Sequence, residues 1–358
     1  MALTFDRICD LIPSDKNRRN SEGDFLLLED GRILFVYSRY GPGDGDGDAA
    51  DLYSVISSDG GKSFAEPALL LSHTVFGADN LMSVTLRRMK NGDIGLFFLK
   101  KTAPYQCRLW LVRSSDEGRT FSAPVACIPH RGYFVVNNDR VILTRDGTWL
   151  VPAAFTEVLI NDESGEGSYG PAHMILYASD DDGVTWYKKS EVRPAGGFER
   201  SRTGLQEPGL VELPDGALWA WFRTDTGWQY ESISHDGGEH WSSPVRSDFT
   251  APASPATIEL LSDGSLLAVW NPVPLFYGKS DRVNNVWTGG RSPLVFARSF
   301  DGGFTFTPPH ILEDDPACGF AYTALLELPD RSVLLAYSAG GQEDGGMLNR
   351  LRIARLTL

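Results

Sequence analysis

Apolar residues in this chain come in short runs that stop at a turn signal and then resume. Phe25-Leu26-Leu27-Leu28 stops at Asp30-Gly31 and resumes as Ile33-Leu34-Phe35-Val36. Leu210-Val211-Glu212-Leu213 stops at Asp215-Gly216 and resumes as Ala217-Leu218-Trp219-Ala220-Trp221. Asp-Gly or Asn-Gly between hydrophobic runs is a strong hairpin signal, because the glycine takes the positive φ that a tight turn needs. The signal recurs at Asn91-Gly92, Asp146-Gly147 and Asp263-Gly264, and as Asp330-Arg331, so six hairpins are predicted. No segment carries helical periodicity of useful length.

A second pattern runs in step with the hairpins. Ser-x-Asp-x-Gly-x-Thr-Phe/Trp occurs five times, complete or nearly so: Ser57–Phe64, Ser114–Phe121, Ser179–Trp186, Ser234–Trp241 and Ser299–Phe306. Asp and Ser side chains bond nearby backbone N–H groups, Gly supplies the turn, and the aromatic residue packs back beneath it. These residues are expected at outer turns in a structural role. A period of roughly 50–65 residues means stacked or radially arranged supersecondary units. Six hairpins and five boxes predict an all-β fold, a six-bladed β-propeller of four-stranded antiparallel blades, as one domain over residues 1–358. The strands near Thr4–Ile8 and Leu351–Leu358 are the candidates for closing the ring in one shared blade.

Composition narrows the function. The net charge of −14 disfavours nucleic acid or an anionic membrane as partner, and an anionic substrate would need a local cluster of Arg. No stretch approaches the ~20 apolar residues of a membrane span. Met1–Asn20 lacks the apolar core of a secretory signal, so a cytoplasmic protein is expected, or a secreted or periplasmic one if a signal has been removed. Cys9, Cys107, Cys127 and Cys318 lack paired or metal-type spacing and read as reduced, mostly buried thiols. The six His show no metal spacing. Gly43–Asp48 reads as a flexible surface loop. Its Asp-x-Asp-x-Asp could offer oxygen to calcium, but the twelfth position from Asp44 is Val55, which has no ligand atom. Asn161–Gly170 reads as a second polar loop. Neither metal nor cofactor is expected, and the oligomeric state is left open.

The hairpin glycine anchors a comparison between units. Nine residues before each anchor stand Glu22, Ser83, Asn138, Glu207, Pro255 and Tyr322; seven or eight after stand Arg39, Arg223 and Asn271. In a propeller these first-strand starts and second-strand ends surround the central channel. Asp139 and Arg140 adjoin Asn138, and Arg291 opens the strand leading into the fifth box. Convergent polar groups in a concave setting define the candidate site. The plainer alternatives are a structural ion pair between Glu207 and Arg223, a channel-lining Tyr322, a local Asp139–Arg140 salt bridge and a surface Arg39.

At these residues the chain resembles the sialidase (neuraminidase) superfamily. Gln206-Glu207-Pro208-Gly209 through Asp215-Gly216 to Arg223 is similar to the segment that supplies a catalytic Glu and one arginine of a carboxylate-binding triad. Arg291-Ser292-Pro293-Leu294 is similar to the segment supplying another triad arginine, and Ala321-Tyr322-Thr323-Ala324-Leu325 to the one holding a tyrosine nucleophile. The resemblance implies a retaining exo-glycosidase in which Glu207 takes the proton of Tyr322 as the phenol attacks the anomeric carbon. It implies a general acid on the loop before the first box, where spacing favours Asp46 over Asp48 and Asp44. Arg223 and Arg291 would fork onto a substrate carboxylate. The substrate would be an oligosaccharide or glycoconjugate.

The first unit departs from the family pattern. Its opening Arg-Ile-Pro is absent, and register places Ser21 and Glu22 there, with Arg18 and Arg19 just upstream. Glu22 is expected to repel an anionic sugar, and Tyr133–Val141 to put charges on a rim that is more neutral in the family. Three readings therefore stand: a sialidase-like exo-glycosidase; a related propeller glycosidase or lyase of other specificity; and a non-catalytic carbohydrate- or protein-binding propeller.

Overall fold

A computed structural model describes residues 3–160, 167–194, 201–274 and 281–358. It is all-β, and among the described residues the helical element is a single 3-10 turn at Gln342–Asp344. The turn chemistry sets the local structure. Gly31, Gly92, Gly147, Gly216 and Gly264 all take φ between 84° and 91°, and Arg331 takes 70° at the sixth turn.

Each turn joins the first two strands of an antiparallel group. Asn20–Leu27, Ile33–Tyr40, Ala50–Ser57 and Ala68–Leu71 pair in sequence order. Asn80–Arg88, Ile94–Ala103, Gln106–Ser114 and Val125–Ala126 repeat the arrangement. Single parallel bridges, Ala50 to Asn80 and Tyr133 to Cys107, join these strands and the next group into one 13-stranded sheet. Two four-stranded sheets follow. One runs Gln206–Glu212, Leu218–Arg223, Trp228–Ser234, Val245–Thr250; the other runs Thr257–Leu260, Leu266–Trp270, Leu294–Ser299, His310–Glu313. In the last four-stranded sheet the N-terminal strand Thr4–Leu11 lies antiparallel to Leu351–Thr357, beside Val333–Ser338 and Ala321–Glu327. The two ends of the chain thus share one sheet, as the sequence predicts.

The boxes begin at the last residue of each third strand. In all five, the Ser Oγ donates to Asp Oδ1 at 2.8–2.9 Å. The same Oγ accepts the N–H of the box glycine. Box aromatics fill the seams between strand groups: Trp186 meets Phe97 edge-on, and Phe306 packs on Trp219 and Phe249. The expected polar loop Asn161–Gly170 lies partly outside the described residues, and from Gly167 it is already strand. Of the four free cysteines, Cys107 and Cys127 are buried and Cys9 and Cys318 are partly exposed.

The first strands carry the device that builds the site. In four of them pairing slips by a bulge, between Ser21 and Asp24, Met82 and Thr85, Gln206 and Gly209, and Ala321 and Ala324. At the bulges Glu22, Ser83, Glu207 and Tyr322 adopt φ of 57°, 55°, 46° and 61°. Positive φ is costly for side chains of this size and persists where surrounding structure fixes it. Each bulge re-aims one side chain out of the strand's alternation. At two of the bulges the wall is tight: a Cβ at Gly209 would sit 2.1 Å from the Trp221 ring, and one at Gly23 2.4 Å from Phe35.

Candidate active site

Those four re-aimed residues line one cavity of 340 Å³, together with Arg19, Asp46, Lys101, Arg223 and Arg291. Tyr322 is buried, and its hydroxyl donates to Glu207 Oε1 at 3.2 Å. Arg223 Nη1 donates to the same oxygen at 2.7 Å and lies 3.4 Å from the Tyr322 hydroxyl. Burial raises the Tyr322 phenol above its ordinary range, and the Glu207 charge adds to the rise. The phenol is therefore neutral at neutral pH and needs a base, and the carboxylate that could serve is in contact with it.

Arg291 is 1 % exposed, with Nη2 on the Ala253 carbonyl at 2.7 Å and its guanidinium over the rings of Trp287 and Tyr322. Its Nε and Nη1, the Nε of Arg223 and Oε2 of Glu207 are buried with no protein partner. Buried donors without partners are expensive in a finished core, and here they belong to residues that line the cavity.

The first unit corrects the register expectation. Where register leaves Ser21 in place of the missing arginine, Arg19, just ahead of the strand, enters the cavity. It is buried, stacks over Tyr40 at 4.5 Å and donates through Nε to the Ser21 hydroxyl at 3.1 Å. Its Nη2 reaches Glu22 at 3.0 Å and its Nη1 reaches Asp46 at 2.6 Å. Glu22 also accepts from the Ser83 hydroxyl. Burial raises the Glu22 carboxyl, Arg19 pulls it down, and the net direction is upward. For Asp46 burial also works upward, but Arg19, with the charges of Lys101 and Arg223 behind it, outweighs burial and holds the carboxyl below its ordinary value.

Asp46 sits in the glycine- and aspartate-rich loop read above as flexible. The loop is tied down: Asn80 Nδ2 donates to the carbonyls of Asp46 and Asp48, Asp48 accepts the Gly45 N–H, and Asn349 donates to Asp44. Four cations (Arg19, Lys101, Arg223, Arg291) face three carboxylates (Glu22, Asp46, Glu207) in the cavity. That is a local positive excess in a chain of net charge −14.

Five of the expected site residues fall outside this cavity. Arg39 stacks on Tyr53 and borders a separate pocket with Asp10 and Asn17. Asn138 is buried and donates to the carbonyls of Gly23 and Tyr322, buttressing two bulges from behind. Asp139 turns toward another cavity, where it accepts from Arg87 at 2.6 Å and from the Leu325 N–H. Arg140 is buried against the Ala256 carbonyl. Asn271 donates to the carbonyls of Arg291 and Pro293, fixing the backbone that presents Arg291. The charges expected on the rim from Tyr133–Val141 are thus spent inside the fold. Arg19, which the sequence offers with Arg18 just upstream of Ser21, lines the cavity, as do Tyr133 and Asn137 of the Tyr133–Val141 segment. Lys101, Tyr169 and Trp287 also line it, and nothing local in the sequence marks them.

The chain matches the BNR repeat-like domain family over residues 77–335 and belongs to it. That places it in the sialidase superfamily with BNR repeats. It is 24 % identical over 241 residues to a sialidase of Bacteroides fragilis, an alignment covering 66 % of this chain and 40 % of that protein. Among solved structures, an unknown-function protein from Dyadobacter fermentans superposes with a TM-score of 0.73 at 18 % identity, covering 99 % of both chains. The Hadza microbial sialidase Hz136 superposes with a TM-score of 0.69 at 18 % identity, covering 95 % of this chain and 66 % of the other. The two structural likenesses speak to the fold. The chain spans less than half the length of its Bacteroides relative.

Proposed function

We propose that residues 1–358 form a single six-bladed β-propeller that acts as a retaining exo-glycosidase on a terminal, acidic, sialic-acid-type sugar of a glycan. The observation that carries this reading is the contact of Tyr322 with Glu207 inside a cavity that also gathers Arg19, Arg223 and Arg291. The strand groups, the shared terminal sheet and the packing of Asn20–Leu27 on both Asn80–Arg88 and Ala321–Glu327 support the propeller.

In the first step the Tyr322 oxygen attacks the anomeric carbon and passes its proton to Glu207. The glycosidic bond breaks, and Asp46 gives a proton to the departing oxygen. In the second step Asp46 takes a proton from water, the water oxygen displaces tyrosine, and Glu207 returns the proton to Tyr322. The three arginines hold the sugar carboxylate, with Arg19 in the place that register assigned to Ser21. Guanidinium groups suit this task because each offers paired donors in one plane. Glu22, tied to Arg19 and Ser83, serves as a holder for Arg19 and is thereby kept from opposing the sugar.

The test is incubation with a panel of terminal-sugar oligosaccharides, sialosides included, read by mass spectrometry beside Tyr322→Phe. Release of a sialic acid by wild type and not by the variant supports the reading. Release of another sugar keeps the hydrolase and overturns the specificity. Binding without turnover, unchanged in Tyr322→Phe, overturns the enzyme.

A further inference from the structure

Lys101 is the one cavity cation that the mechanism above leaves without a task. It lies near the end of the strand Ile94–Ala103, its residue is 8 % exposed, and among the described residues it has no carboxylate within ion-pair distance. Its ammonium donates to the backbone carbonyl of Asp46 at 3.1 Å. Asn80, on the neighbouring strand, donates to the same carbonyl at 2.8 Å. A Cβ on Gly47 would stand 3.8 Å from the Lys101 ammonium, so the turn passes directly over it. Burying an ammonium against a neutral carbonyl is unfavourable unless something else in the arrangement offsets it. An apolar side chain would fill the same space beside Leu99 and Cys107 at lower cost.

We propose that Lys101, with Asn80, is a positioning residue for the acid. The pair clamps the Asp46 carbonyl from the second strand group and so holds the carboxylate of the first group's loop over the glycosidic oxygen. The Asp46 side chain is 63 % exposed and touches the wall of the cavity through Arg19. When a substrate carboxylate occupies Arg19, the backbone clamp is what keeps Asp46 from swinging into solvent. Misplacing a catalytic group by about 1 Å can cost on the order of 10²-fold. The inference rests on the proposed function.

The experiment compares wild type, Lys101→Met, Asp46→Ala and the double variant on two substrates. One is 3′-sialyllactose, whose sugar leaving group needs a proton. The other is an aryl sialoside, whose acidic phenol leaves without one. Lys101→Met keeps the aliphatic stem and removes the ammonium. The expected result, read in kcat/KM because that constant reports only the steps up to departure of the leaving group, is a loss of about 10²-fold on sialyllactose, a change within about 3-fold on the aryl sialoside, and no further loss in the double variant over Asp46→Ala. Lys101→Arg, which retains the donor, is expected to recover part of the loss. Equal losses on both substrates, or losses that add to those of Asp46→Ala, overturn the proposal. Wild type that cleaves neither sialoside overturns the sialic-acid specificity of the proposed function, and the clamp as stated with it. An unfolded Lys101→Met is replaced by Asn80→Ala, to which the same criteria apply.

Discussion

Glu207 and Tyr322 stand 115 residues apart in the chain, yet Tyr322 donates to Glu207 Oε1 at 3.2 Å. Two bulges make the contact, for each residue sits at a positive φ on a first strand. Tyr322→Phe removes the proposed nucleophilic oxygen with its hydrogen bonds to Glu207 and Arg223 while leaving the ring under Arg291. It is expected to abolish turnover with thermal unfolding nearly unchanged. Glu207→Gln removes the base and is expected to cost roughly 10²–10⁴ in kcat. A Tyr322→Phe protein with wild-type kcat would end the nucleophile assignment.

Arg19 makes a second test, because it brings the guanidinium into the cavity where register leaves only the uncharged Ser21. Charge-assisted hydrogen bonds contribute about 1.5–3 kcal/mol, so Arg19→Met should lower kcat/KM on a sialoside by roughly 10–100-fold. Esterifying the sugar carboxylate should cost the wild type much more than it costs the variant. Ser21→Ala, which leaves the guanidinium in place, should cost far less. The readout is kcat/KM on both substrates, and equal sensitivity of wild type and Arg19→Met to the ester would remove Arg19 from the carboxylate site.

Asn138 illustrates a residue that supports the site without entering it. Its amide donates to Gly23 and Tyr322 carbonyls at 3.0 Å each, so Asn138→Ala leaves two buried acceptors unpaired. The expected cost is about 1–3 kcal/mol of stability, read by urea unfolding. Because those carbonyls belong to the bulges carrying Glu22 and Tyr322, kcat should fall while KM changes little. An unchanged unfolding midpoint would contradict the buttress.

Local chemistry made the repeats legible. Hairpin turns and boxes are closed by residues within four positions of each other, so the sequence carries them whole. Register then brought Glu22, Glu207, Tyr322, Arg223 and Arg291 to one place. It failed where parity or continuity broke. Arg223 stands seven residues after its turn glycine and Arg39 eight, and in a strand that difference of one puts them on opposite faces. In the third unit the first strand is interrupted between Tyr133–Val135 and Ile142–Leu143. The anchored position Asn138 falls in the gap, and the positive φ shifts to Asp139. Lys101 and Tyr169 reach the cavity from second and third strands, and no repeat position announces them.

On the proposed mechanism, the Arg19–Asp46 pair at 2.6 Å should set the pH behaviour of the empty protein apart from that of its substrate complex. With the cavity empty, Arg19 holds the Asp46 carboxyl below its ordinary value. A bound sugar carboxylate takes over Arg19 and places a like charge near Asp46, and both changes raise its proton affinity. An acid must be protonated to act, so activity falls as pH rises through its pKa. kcat/KM reports the free enzyme and kcat the complex. The alkaline limb of kcat/KM should therefore lie at lower pH than that of kcat. Between the two limbs KM should climb with pH, by up to about tenfold per unit, the limit for one proton. In Asp46→Asn both limbs assigned to this acid should vanish. Full pH profiles of kcat and kcat/KM on 3′-sialyllactose measure this. Limbs that coincide would mean that the sugar carboxylate leaves the Arg19–Asp46 pair intact.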